Sequence, residues 1–317
     1  MTKYLLFFPL WLFTSVIYCE TIVFTTAFNR PDFIELQFRL LSKFLEDDYK
    51  YIVVSDANTP ATKALIEKKC AELNISCINV PQEIHQKPYL PRSPGDNYQN
   101  PNVRHCNSVQ WAWDHYFSKH DGPVMLIDSD MFPIRTFSVK NLLKDHHFAG
   151  IYWGTTDPVN GKPYGYLWLG LILFNNEFLP ERSSIRFNCG KLPNTNAICD
   201  SGGWTYYYLN KFKDILKIRN MAWVQGHEFY CPYRYAPQEL QNFSHISDAT
   251  ITENLAKRGF TENEIQLVLK KPYTIELIGG NCFLHYRAGT NYENYSRSFL
   301  VEKDRVLLEF FEKILSE

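Results

Sequence analysis

The stretch that decides the fold is VMLIDSDMFP, residues 124–133. Four apolar residues, typical of a buried strand, end in Asp128, Ser129 and Asp130. Two carboxylates separated by one residue project to the same side of an extended segment, where they can share a divalent cation or a proton. Because they leave an apolar strand, they need a metal, a cation or hydrogen-bond donors to offset the cost of burial. Pro133 is predicted to fix the turn that aims Asp130.

The segments before this stretch alternate between strand and helix patterns. Apolar, β-branched runs predict strands at residues 21–28, 49–57, 76–80 and 123–128. Helical spacing predicts a helix from Pro31, one over 59–73 capped by Thr59, and one over 102–119. Residues 81–101 are rich in Pro, Asn and Gly, which predicts a long functional loop.

The second half is less regular. It predicts strands at 148–154 and 166–174, a helix over 201–217 capped by Asp200 or Ser201, a strand and loop at 275–291, and a closing helix at 297–316. Together the elements predict one α/β domain with a mixed, mostly parallel sheet flanked by helices and a Rossmann-like N-terminal half. Ligands of such sheets bind beyond the carboxyl ends of the strands, where the two aspartates fall.

The N-terminus has its own pattern. Residues 4–19 carry no charge and follow Lys3, which predicts that residues 1–19 are a signal peptide or an uncleaved signal anchor. The folded domain is then residues 20–317, outside the cytosol. A run of this length is short for a membrane span and long for a signal peptide, so both readings stay open.

Composition excludes some classes of protein. A hydrophobic fraction of 45% indicates a globular chain, and a net charge of -1 without basic clusters makes nucleic acid an unexpected partner. Cysteine spacing offers Cys70/Cys77 and Cys189/Cys199 as short-loop disulfide candidates, and no zinc spacing occurs. Asn-x-Ser sequons at Asn74, Asn242 and Asn294 are compatible with a secretory lumen.

Two chemistries use paired carboxylates at a strand end. In one, Mn²⁺ or Mg²⁺ is held by one or two carboxylates and by the oxygens of a substrate diphosphate. In the other, the first Asp attacks a phosphate, as in haloacid-dehalogenase-like phosphatases. That pattern needs Thr or Val where this chain has Phe132, and it needs the motif close to the start of its domain. The phosphatase therefore remains the second reading.

The chain resembles nucleotide-sugar glycosyltransferases of the GT-A fold, of the family 2 or family 8 kind. The resemblance runs from about residue 21 to 290 and rests on TIVFTTAFNRPDF, YIVVSDA, VRHCNSVQWAWDHY, PVMLIDSDMFP and FLHYRAGTNY. It implies a UDP- or GDP-sugar donor, a glycan, protein or lipid acceptor, and a Mn²⁺ or Mg²⁺ cofactor. It also implies a donor site made of Thr25, Thr26, Ala27, Asp56, Arg104, Asn107, Asp128, Ser129 and Arg287.

Each of these roles has an alternative. Asp56 would accept hydrogen bonds from the base or ribose, or it is a solvated turn carboxylate. Arg104 and Asn107, one helical turn apart, would meet the diphosphate or ribose, or they form an ordinary helix salt bridge and cap. Asp128 would face the ribose and bind the metal together with Asp130.

His285 is the proposed third metal ligand, since it precedes YRAG in a segment similar to the His-x-x-Gly that closes over the diphosphate in such enzymes. A core histidine is the alternative. Relatives that continue with Lys-Pro-Trp differ from this chain, which has Thr290, Asn291 and Tyr292, so Arg287 would substitute for the missing lysine.

Asp200 is the candidate catalytic base that takes the proton from the acceptor hydroxyl, with a plain helix cap as the alternative. Aromatic side chains near it would stack on sugars or belong to the core: Trp168, Trp204, Tyr206 and Tyr207. A non-catalytic exported carbohydrate-binding protein is the alternative of another class. Because nucleotide sugars occur in the ER and Golgi lumen, the expected location is there, with a single-pass anchor, or outside the cell.

Overall fold

The computed structural model describes residues 19–86, 100–221, 223–225, 247–257, 259, 261–269, 276–278, 282–286 and 297–317. Within these residues, no helix combines the length and the apolar character that a membrane crossing requires. The predicted signal peptide or anchor lies almost entirely outside the described residues, which begin at Cys19.

Strands and helices alternate through the first half of the chain, as predicted. The strands are β1 Thr21–Ala27, β2 Tyr49–Ser55, β3 Ser76–Asn79, β4 Pro123–Ile127, β5 Met131–Pro133, β6 Phe148–Thr156, β7 Pro163–Asn175, β8 Gly190–Lys191, β9 Ile198–Cys199, β10 Ile218–Asn220, β11 Trp223–Gln225, β12 Glu276–Ile278 and β13 Phe283–His285. The helices are α1 Pro31–Phe44, α2 Pro60–Glu72, α3 Glu83–Gln86, α4 Pro101–His115, α5 Val139–Leu143, α6 Thr205–Lys211, α7 Asp248–Lys257, α8 Glu262–Leu269 and α9 Arg297–Ser316.

The main sheet has seven strands in the order β10-β6-β7-β4-β1-β2-β3. Neighbours pair in parallel except at β7, which runs antiparallel to both β4 and β6. The predicted mixed, mostly parallel sheet flanked by helices is therefore confirmed. Its strands β1, β2 and β4 end at one edge, so the end of β4 brings the Asp128–Asp130 segment to the edge where parallel sheets bind ligands.

A smaller antiparallel sheet, in the order β11-β12-β13-β5, begins immediately after the two aspartates. Its strand β5 pairs with β13, with Phe132 opposite Leu284 and Pro133 opposite Phe283. The prediction that Pro133 makes a turn is therefore wrong. Residues 131–133 continue as a strand because a partner more than 140 residues away supplies the hydrogen bonds, and Pro133 ends that strand.

Apolar side chains cover both faces of the main sheet. Val23, Val53 and Met125 belong to the cluster on one face, whereas the residues after them in sequence, Phe24 and Leu126, belong to the cluster on the other. This alternation follows from the two-residue repeat of a strand and explains why the strands read as continuous apolar runs. A third cluster joins α1, the smaller sheet and α9.

The helix boundaries follow local signals in the first half but not at residue 201. Thr59 caps α2 as predicted, its side chain accepting from the backbone N–H of Thr62. The predicted helix over 201–217 is present but shorter, because residues 201–204 form a turn and α6 spans Thr205–Lys211 only. Gly202 has a φ of +88° and donates its N–H to the carbonyl of Phe187, so neither Asp200 nor Ser201 caps α6.

The structure brings the cysteines of one predicted disulfide pair into contact and gives a cysteine of the other pair a different partner. Cys70 and Cys77, one of the two predicted disulfide pairs, contact each other through a thiol hydrogen bond. Cys189, in contrast, makes its thiol hydrogen bond with Cys106 of α4 rather than with Cys199. Asn74 of the first sequon is exposed after α2, and the other two sequon asparagines lie outside the described residues.

Candidate active site

The two aspartates sit on a short turn between β4 and β5. The backbone N–H of Asp128 donates to the carbonyl of Gly170 on β7, 2.8 Å away, and the N–H of Met131 donates to the carbonyl of Asp128 at 3.0 Å. The Asp128 carboxylate accepts from the N–H of Ser129 at 2.8 Å. The turn is therefore tied to the sheet on one side and closed on itself on the other.

Gln37 of α1 braces this turn from below. Its side-chain amide donates to the carbonyl of Asp128 at 2.9 Å and to that of Met131 at 2.6 Å. Its own carbonyl accepts from the hydroxyl of Tyr51 at 2.6 Å. Gln37 is fully buried, at 0% exposure, so these bonds are shielded from water and fix the turn firmly.

His285 reaches the aspartates through strand pairing. It lies opposite Met131 in the β5–β13 ladder, and the N–H of Tyr286 donates to the carbonyl of Asp130 at 2.7 Å. The imidazole Nε2 then lies 3.2 Å from a carboxylate oxygen of Asp130. The ring of Trp168 packs on the imidazole with centroids 5.2 Å apart, which limits its orientations.

Gly170 makes room for that indole. A Cβ on Gly170 would come within 1.9 Å of ring atoms of Trp168, so a larger residue would displace the indole. The same glycine carbonyl holds Asp128 in place. Trp168 is buried in the core cluster and belongs to the support of His285. A sugar-stacking role for Trp168 remains a prediction.

Asp128, Asp130 and His285 together form a group able to hold a metal ion. Each offers one ligand atom, and these atoms all lie within 4.8 Å of one another. Asp130 and His285 are buried, at 7% and 6% exposure. Burial raises the pKa of Asp128, while positive charge on His105 or His285 opposes this and the Asp130 carboxylate reinforces it. Two close carboxylates and an imidazole fit Mn²⁺ or Mg²⁺.

Polar atoms without protein partners lie at the ends of the strands beside this group. Thr25 is near the end of β1 and Ser55 is the last residue of β2. Among the described residues, nothing hydrogen-bonds to the buried hydroxyls of Thr25 and Ser55, the Nδ1 of His85 or the Nε2 of His105. Because buried polar atoms rarely stay unpaired, these four atoms are candidate contacts for a polar ligand at this edge.

Thr26 and Ala27 complete the end of β1. The hydroxyl of Thr26 lies 3.0 Å from the Nδ1 of His105. The carbonyl of Ala27 accepts from the N–H of Asp56 at 2.7 Å, which joins the ends of β1 and β2. Their contact with a nucleotide remains a prediction.

Asp56 is enclosed in a polar cluster. It is 5% exposed, so the alternative of a solvated turn carboxylate is wrong. The Nε2 of His85 lies 2.8 Å from one of its carboxylate oxygens, and the Nε of Arg104 lies 2.9 Å from the other. Arg104 also donates to the backbone carbonyl of Asp56 and to the side chain of Gln82, each at 2.7 Å. Asp56 and Arg104 were both predicted to contact the nucleotide. Because they pair with each other, much of their hydrogen-bonding capacity is already used within the protein.

The remaining predicted donor-site residues are placed as follows. Asn107 is buried on α4, one turn after Arg104, and Ser129 is buried within the turn of the two aspartates. Arg287 lies outside the described residues. The structure thus brings Asp128, Asp130 and His285 together. Asn107 is instead buried on the inner face of α4.

Asp200 lies in the turn before α6, beside the amino-terminal part of α4. One carboxylate oxygen accepts from the side chain of Asn102 at 2.9 Å and from the N–H of Ser201 at 2.8 Å. No hydrogen bond from the described residues reaches its other oxygen, Oδ2. The next residue, Ser201, accepts from the N–H of Leu169 on β7, one residue before Gly170. The same strand thus supports Asp200 and the turn of the two aspartates.

The other aromatic residues near Asp200 pack mostly on one another. Trp204 and Tyr206 each contact Tyr207 edge-on, with ring centroids 6.0 and 5.4 Å apart. The hydroxyl of Tyr207 donates to the carbonyl of Pro193. Tyr207 is partly exposed, so its ring keeps a face toward solvent. Sugar stacking by these side chains remains a prediction.

Comparison with known proteins shows similarity of fold only. No family model and no curated protein matches the chain. Solved structures similar to it include a mannosyltransferase from Pyrobaculum calidifontis in complex with GDP-mannose and Mn²⁺, at 12% identity and a TM-score of 0.37, covering 65% of this chain and 55% of that one. Another is glucosyl-3-phosphoglycerate synthase from Mycobacterium tuberculosis in complex with Mn²⁺ and UDP, at 15% identity and a TM-score of 0.36, covering 64% and 69%.

The bifunctional glycosyltransferase WbbM is a further similar structure, at 14% identity and a TM-score of 0.32. The match covers 51% of this chain but only 32% of that protein's length. The chain thus spans about a third of the length of WbbM and about half of the length of the Pyrobaculum mannosyltransferase. These similarities concern the fold alone, since each has an identity of 15% or less and a TM-score below 0.4. The activity of this chain is a separate question that its own residues must answer.

Three side chains near the site were not predicted from the sequence: Gln37, His85 and His105. The sequence does indicate that Gln37 is buried, because it lies four residues after Phe33 and four before Leu41, on the apolar face of α1. A polar residue on a buried helix face usually has a fixed partner. His85 and His105 carry no such signal, since their partners, Asp56 and Thr26, lie at strand ends distant in sequence.

Replacing Gln37 with Leu tests the brace. We expect a loss of about 2 kcal/mol or more in the free energy of unfolding, since two buried carbonyls lose their donor. We also expect weaker Mn²⁺ binding, because the turn that carries Asp128 is released. Chemical denaturation and Mn²⁺ titration measure the two effects. Gln110→Leu is the matched control: it removes an equally buried glutamine that bonds to the backbone of Ile185 and Phe187, so it should destabilise the fold without changing Mn²⁺ affinity.

Asp128→Asn should raise the stability of the metal-free protein and at the same time weaken metal binding. Because the pKa of Asp128 is raised in the folded state, the fold is most favoured below the unfolded pKa and loses stability as pH rises through the folded pKa. Above the folded pKa the metal-free protein therefore carries the cost of a partly buried charge. We expect the metal-free variant to melt roughly 1–3 °C above wild type. Mn²⁺ should raise the melting temperature of wild type and leave the variant nearly unchanged. A lower melting temperature for the metal-free variant would contradict the burial cost.

Proposed function

We propose that this chain is a metal-dependent glycosyltransferase of the GT-A kind that moves a sugar from a UDP- or GDP-sugar to a glycan, protein or lipid acceptor. The observation that carries the proposal is the group of Asp128, Asp130 and His285 at the carboxyl edge of the parallel strands. A nucleoside diphosphate bound at that edge would complete the coordination of a divalent ion.

The surroundings of the group support a nucleotide in particular. Unpartnered hydroxyl and ring nitrogen atoms at the ends of β1 and β2 provide the donors and acceptors that a ribose and base require. The neutralised Asp56–Arg104 pair would form part of the wall of that site. A phosphatase gains no comparable support, because Phe132 is fully buried in the third core cluster and cannot take the place of the Thr or Val that such enzymes use.

The roles of the protein residues follow from their positions. A bound Mn²⁺ or Mg²⁺ would neutralise the charge that develops on the nucleoside diphosphate as the glycosidic bond breaks. Asp130 and His285 would hold it, with Asp128 as the third ligand or as a partner of the ribose. Gln37 and Trp168 would keep these side chains in place, which matters because misplacement of about 1 Å can cost about 100-fold in rate.

Asp200 would accept the proton of the acceptor hydroxyl. Asn102 and the N–H of Ser201 both bond to one carboxylate oxygen, so Oδ2 is the atom offered to the acceptor. This role belongs to a reaction that inverts the configuration of the sugar. In the same proposal the chain works in the ER or Golgi lumen, anchored by residues 1–19, or is secreted, since the sequons and the apolar N-terminus agree with export.

A donor screen tests the proposed function. The purified full chain is incubated with UDP- and GDP-sugars and Mn²⁺, Mg²⁺ or a chelator, and the released nucleoside diphosphate is measured. We expect release with at least one donor, abolished by the chelator. Sugar binding without any release would favour the non-catalytic binding protein. Hydrolysis of an aryl phosphate that disappears in Asp128→Asn would favour the phosphatase.

A further inference from the structure

One face of helix α4 lies along the segment between β7 and α6. Its side chains Asn102, Cys106 and Gln110 are spaced four residues apart, so they project from the same side of the helix. Gln110 accepts from the N–H of Phe187 at 3.0 Å, and Asn102 donates to the carboxylate of Asp200 at 2.9 Å. Cys106 lies between these two anchored points and therefore faces the residues that follow Phe187.

Cys189 is the cysteine that Cys106 meets on this segment. It comes two residues after Phe187, and the two thiols are joined by a hydrogen bond. Both side chains belong to one apolar region, with Cys106 inside a core cluster beside the main sheet and Cys189 packed against that cluster. Cys106 is 1% exposed, and Cys189 is partly buried. Two thiols in such contact need only small side-chain movements to form a disulfide.

Cys199 is the partner that sequence spacing suggested for Cys189, but the fold directs the two side chains apart. Cys199 is paired with Gly190 in the β8–β9 ladder. Because successive residues of an extended segment face opposite sides, Cys189 and Cys199 are directed to opposite sides of that ladder. Cys199 also packs in a separate apolar cluster, with Tyr164 and Tyr166. Cys189 is therefore left to the cysteine of α4.

The segment around Cys189 is joined directly to the turn that carries Asp200. The carbonyl of Asn188 accepts from the N–H of Trp204 at 3.1 Å, which spans the turn. The β8–β9 ladder, which begins immediately after Cys189, ends immediately before Asp200. A covalent link at Cys189 would therefore also restrain the position of Asp200.

We propose that Cys106 and Cys189 form a disulfide bond that fastens the turn carrying Asp200 to helix α4. The bond would act together with the hydrogen bond from Asn102 to the carboxylate. It would fix the distance between this carboxylate and an acceptor, on which proton transfer depends. The disulfide itself is independent of the proposed function, whereas its effect on sugar transfer rests on that function.

The bond would form by thiol–disulfide exchange with a small disulfide such as oxidised glutathione. The thiolate of Cys189, the more exposed of the two, attacks one sulfur of glutathione disulfide, whose S–S bond breaks and releases the first glutathione. The thiolate of Cys106 then attacks the sulfur of Cys189 and releases the second glutathione. The two cysteines are oxidised, one glutathione disulfide is reduced to two thiols, and these thiols take up the two protons.

Peptide mapping tests the bond. The purified full chain is equilibrated with oxidised and reduced glutathione, alkylated without prior reduction, digested and analysed by mass spectrometry. We expect a peptide that links Cys106 to Cys189, which should persist in Cys199→Ala and disappear in Cys189→Ser. A Cys106 thiol that is still alkylated after this treatment, or a link between Cys189 and Cys199, would overturn the proposal.

Thermal melting shows whether the bond restrains the fold. Oxidised wild type should melt roughly 5–10 °C above oxidised Cys189→Ser, because the disulfide closes a long loop. Dithiothreitol should remove this difference, since reduced wild type and the variant both lack the bond. A difference that persists after reduction would show an effect of the substitution itself and would contradict the restraint.

Kinetics separates the role of the bond from the proposed function. Oxidised Cys189→Ser should transfer sugar roughly three- to tenfold more slowly than oxidised wild type, with the same Mn²⁺ affinity, because only the turn of Asp200 is released. Equal rates would overturn the role assigned to the bond at Asp200. An absence of sugar transfer by wild type would instead overturn the proposed function, and the linked peptide would still establish the disulfide.

Discussion

Asp130→Asn is expected to weaken Mn²⁺ binding by at least about 100-fold and sugar transfer by about 1,000-fold. Asp130 is buried, and its carboxylate lies 3.2 Å from the Nε2 of His285, where the two would share one ion. Asn has nearly the same shape but lacks the charge. The backbone carbonyl of residue 130 still accepts from Tyr286, so the strand pairing should survive. Calorimetric Mn²⁺ titration and donor turnover measure the two losses.

Asp214→Asn is the matched control, because Asp214 is exposed and lies in the turn after α6. It should leave both Mn²⁺ affinity and turnover unchanged. Asp130→Asn and wild type should also melt at similar temperatures without metal. Unchanged Mn²⁺ affinity in Asp130→Asn would show that the ion binds elsewhere, and unchanged turnover would show that the reaction does not need this carboxylate.

The second large effect is expected for Asp200→Asn. Transfer to an acceptor should fall by about 100- to 10,000-fold, the usual contribution of a general base. Asn can still accept hydrogen bonds from Asn102 and Ser201, so the turn should keep its shape. Binding of Mn²⁺ and of the donor nucleotide should not change. The expected signature is a loss of kcat at constant donor affinity, measured by steady-state kinetics and nucleotide titration.

Asn102→Ala provides the comparison. It removes one hydrogen bond to Asp200 but leaves the carboxylate, so the rate should fall much less, by about tenfold at most. If Asp200→Asn transferred sugar at the wild-type rate, Asp200 would not be the base. A reaction that retains the configuration of the sugar would then be the better description.

Local sequence patterns predicted the first half of the fold well. Apolar runs marked β1, β2 and β4, and a proline in the first turn marked α1 and α2. These signals are local because strand alternation and helix capping depend on residues a few positions apart. The position of Asp128 and Asp130 at the end of β4 followed directly from them.

Long-range pairing could not be predicted in this way. Residues 131–133 are too few to show a strand pattern, and they become β5 only because β13 pairs with them. That pairing is what brings His285 to Asp130. The sequence suggested His285 as a ligand through resemblance, but it assigned Pro133 to the turn that aims Asp130, whereas Pro133 is the last residue of a strand.

The sequence also gave no indication of which charged side chains pair with each other. The sequence showed Asp56 and Arg104 as two groups available to a nucleotide, whereas in the fold they pair with each other and with His85. Electrostatic partners depend on which strand end meets which helix, so no spacing rule predicts them. The prediction that a helix begins at residue 201 was wrong for a related reason. The hydrogen bond from Gly202 to Phe187 holds residues 201–204 in a turn and overrides the local helical pattern.

The central claim is that Asp130 and His285 hold a divalent ion for a nucleoside diphosphate at the edge of β1, β2 and β4. The most direct measurement is anomalous X-ray diffraction at the manganese edge, on crystals grown with Mn²⁺ and UDP or GDP. We expect one manganese peak within coordination distance of both side chains, with the diphosphate bound to it. A peak elsewhere, or a nucleotide bound away from this edge, would contradict it.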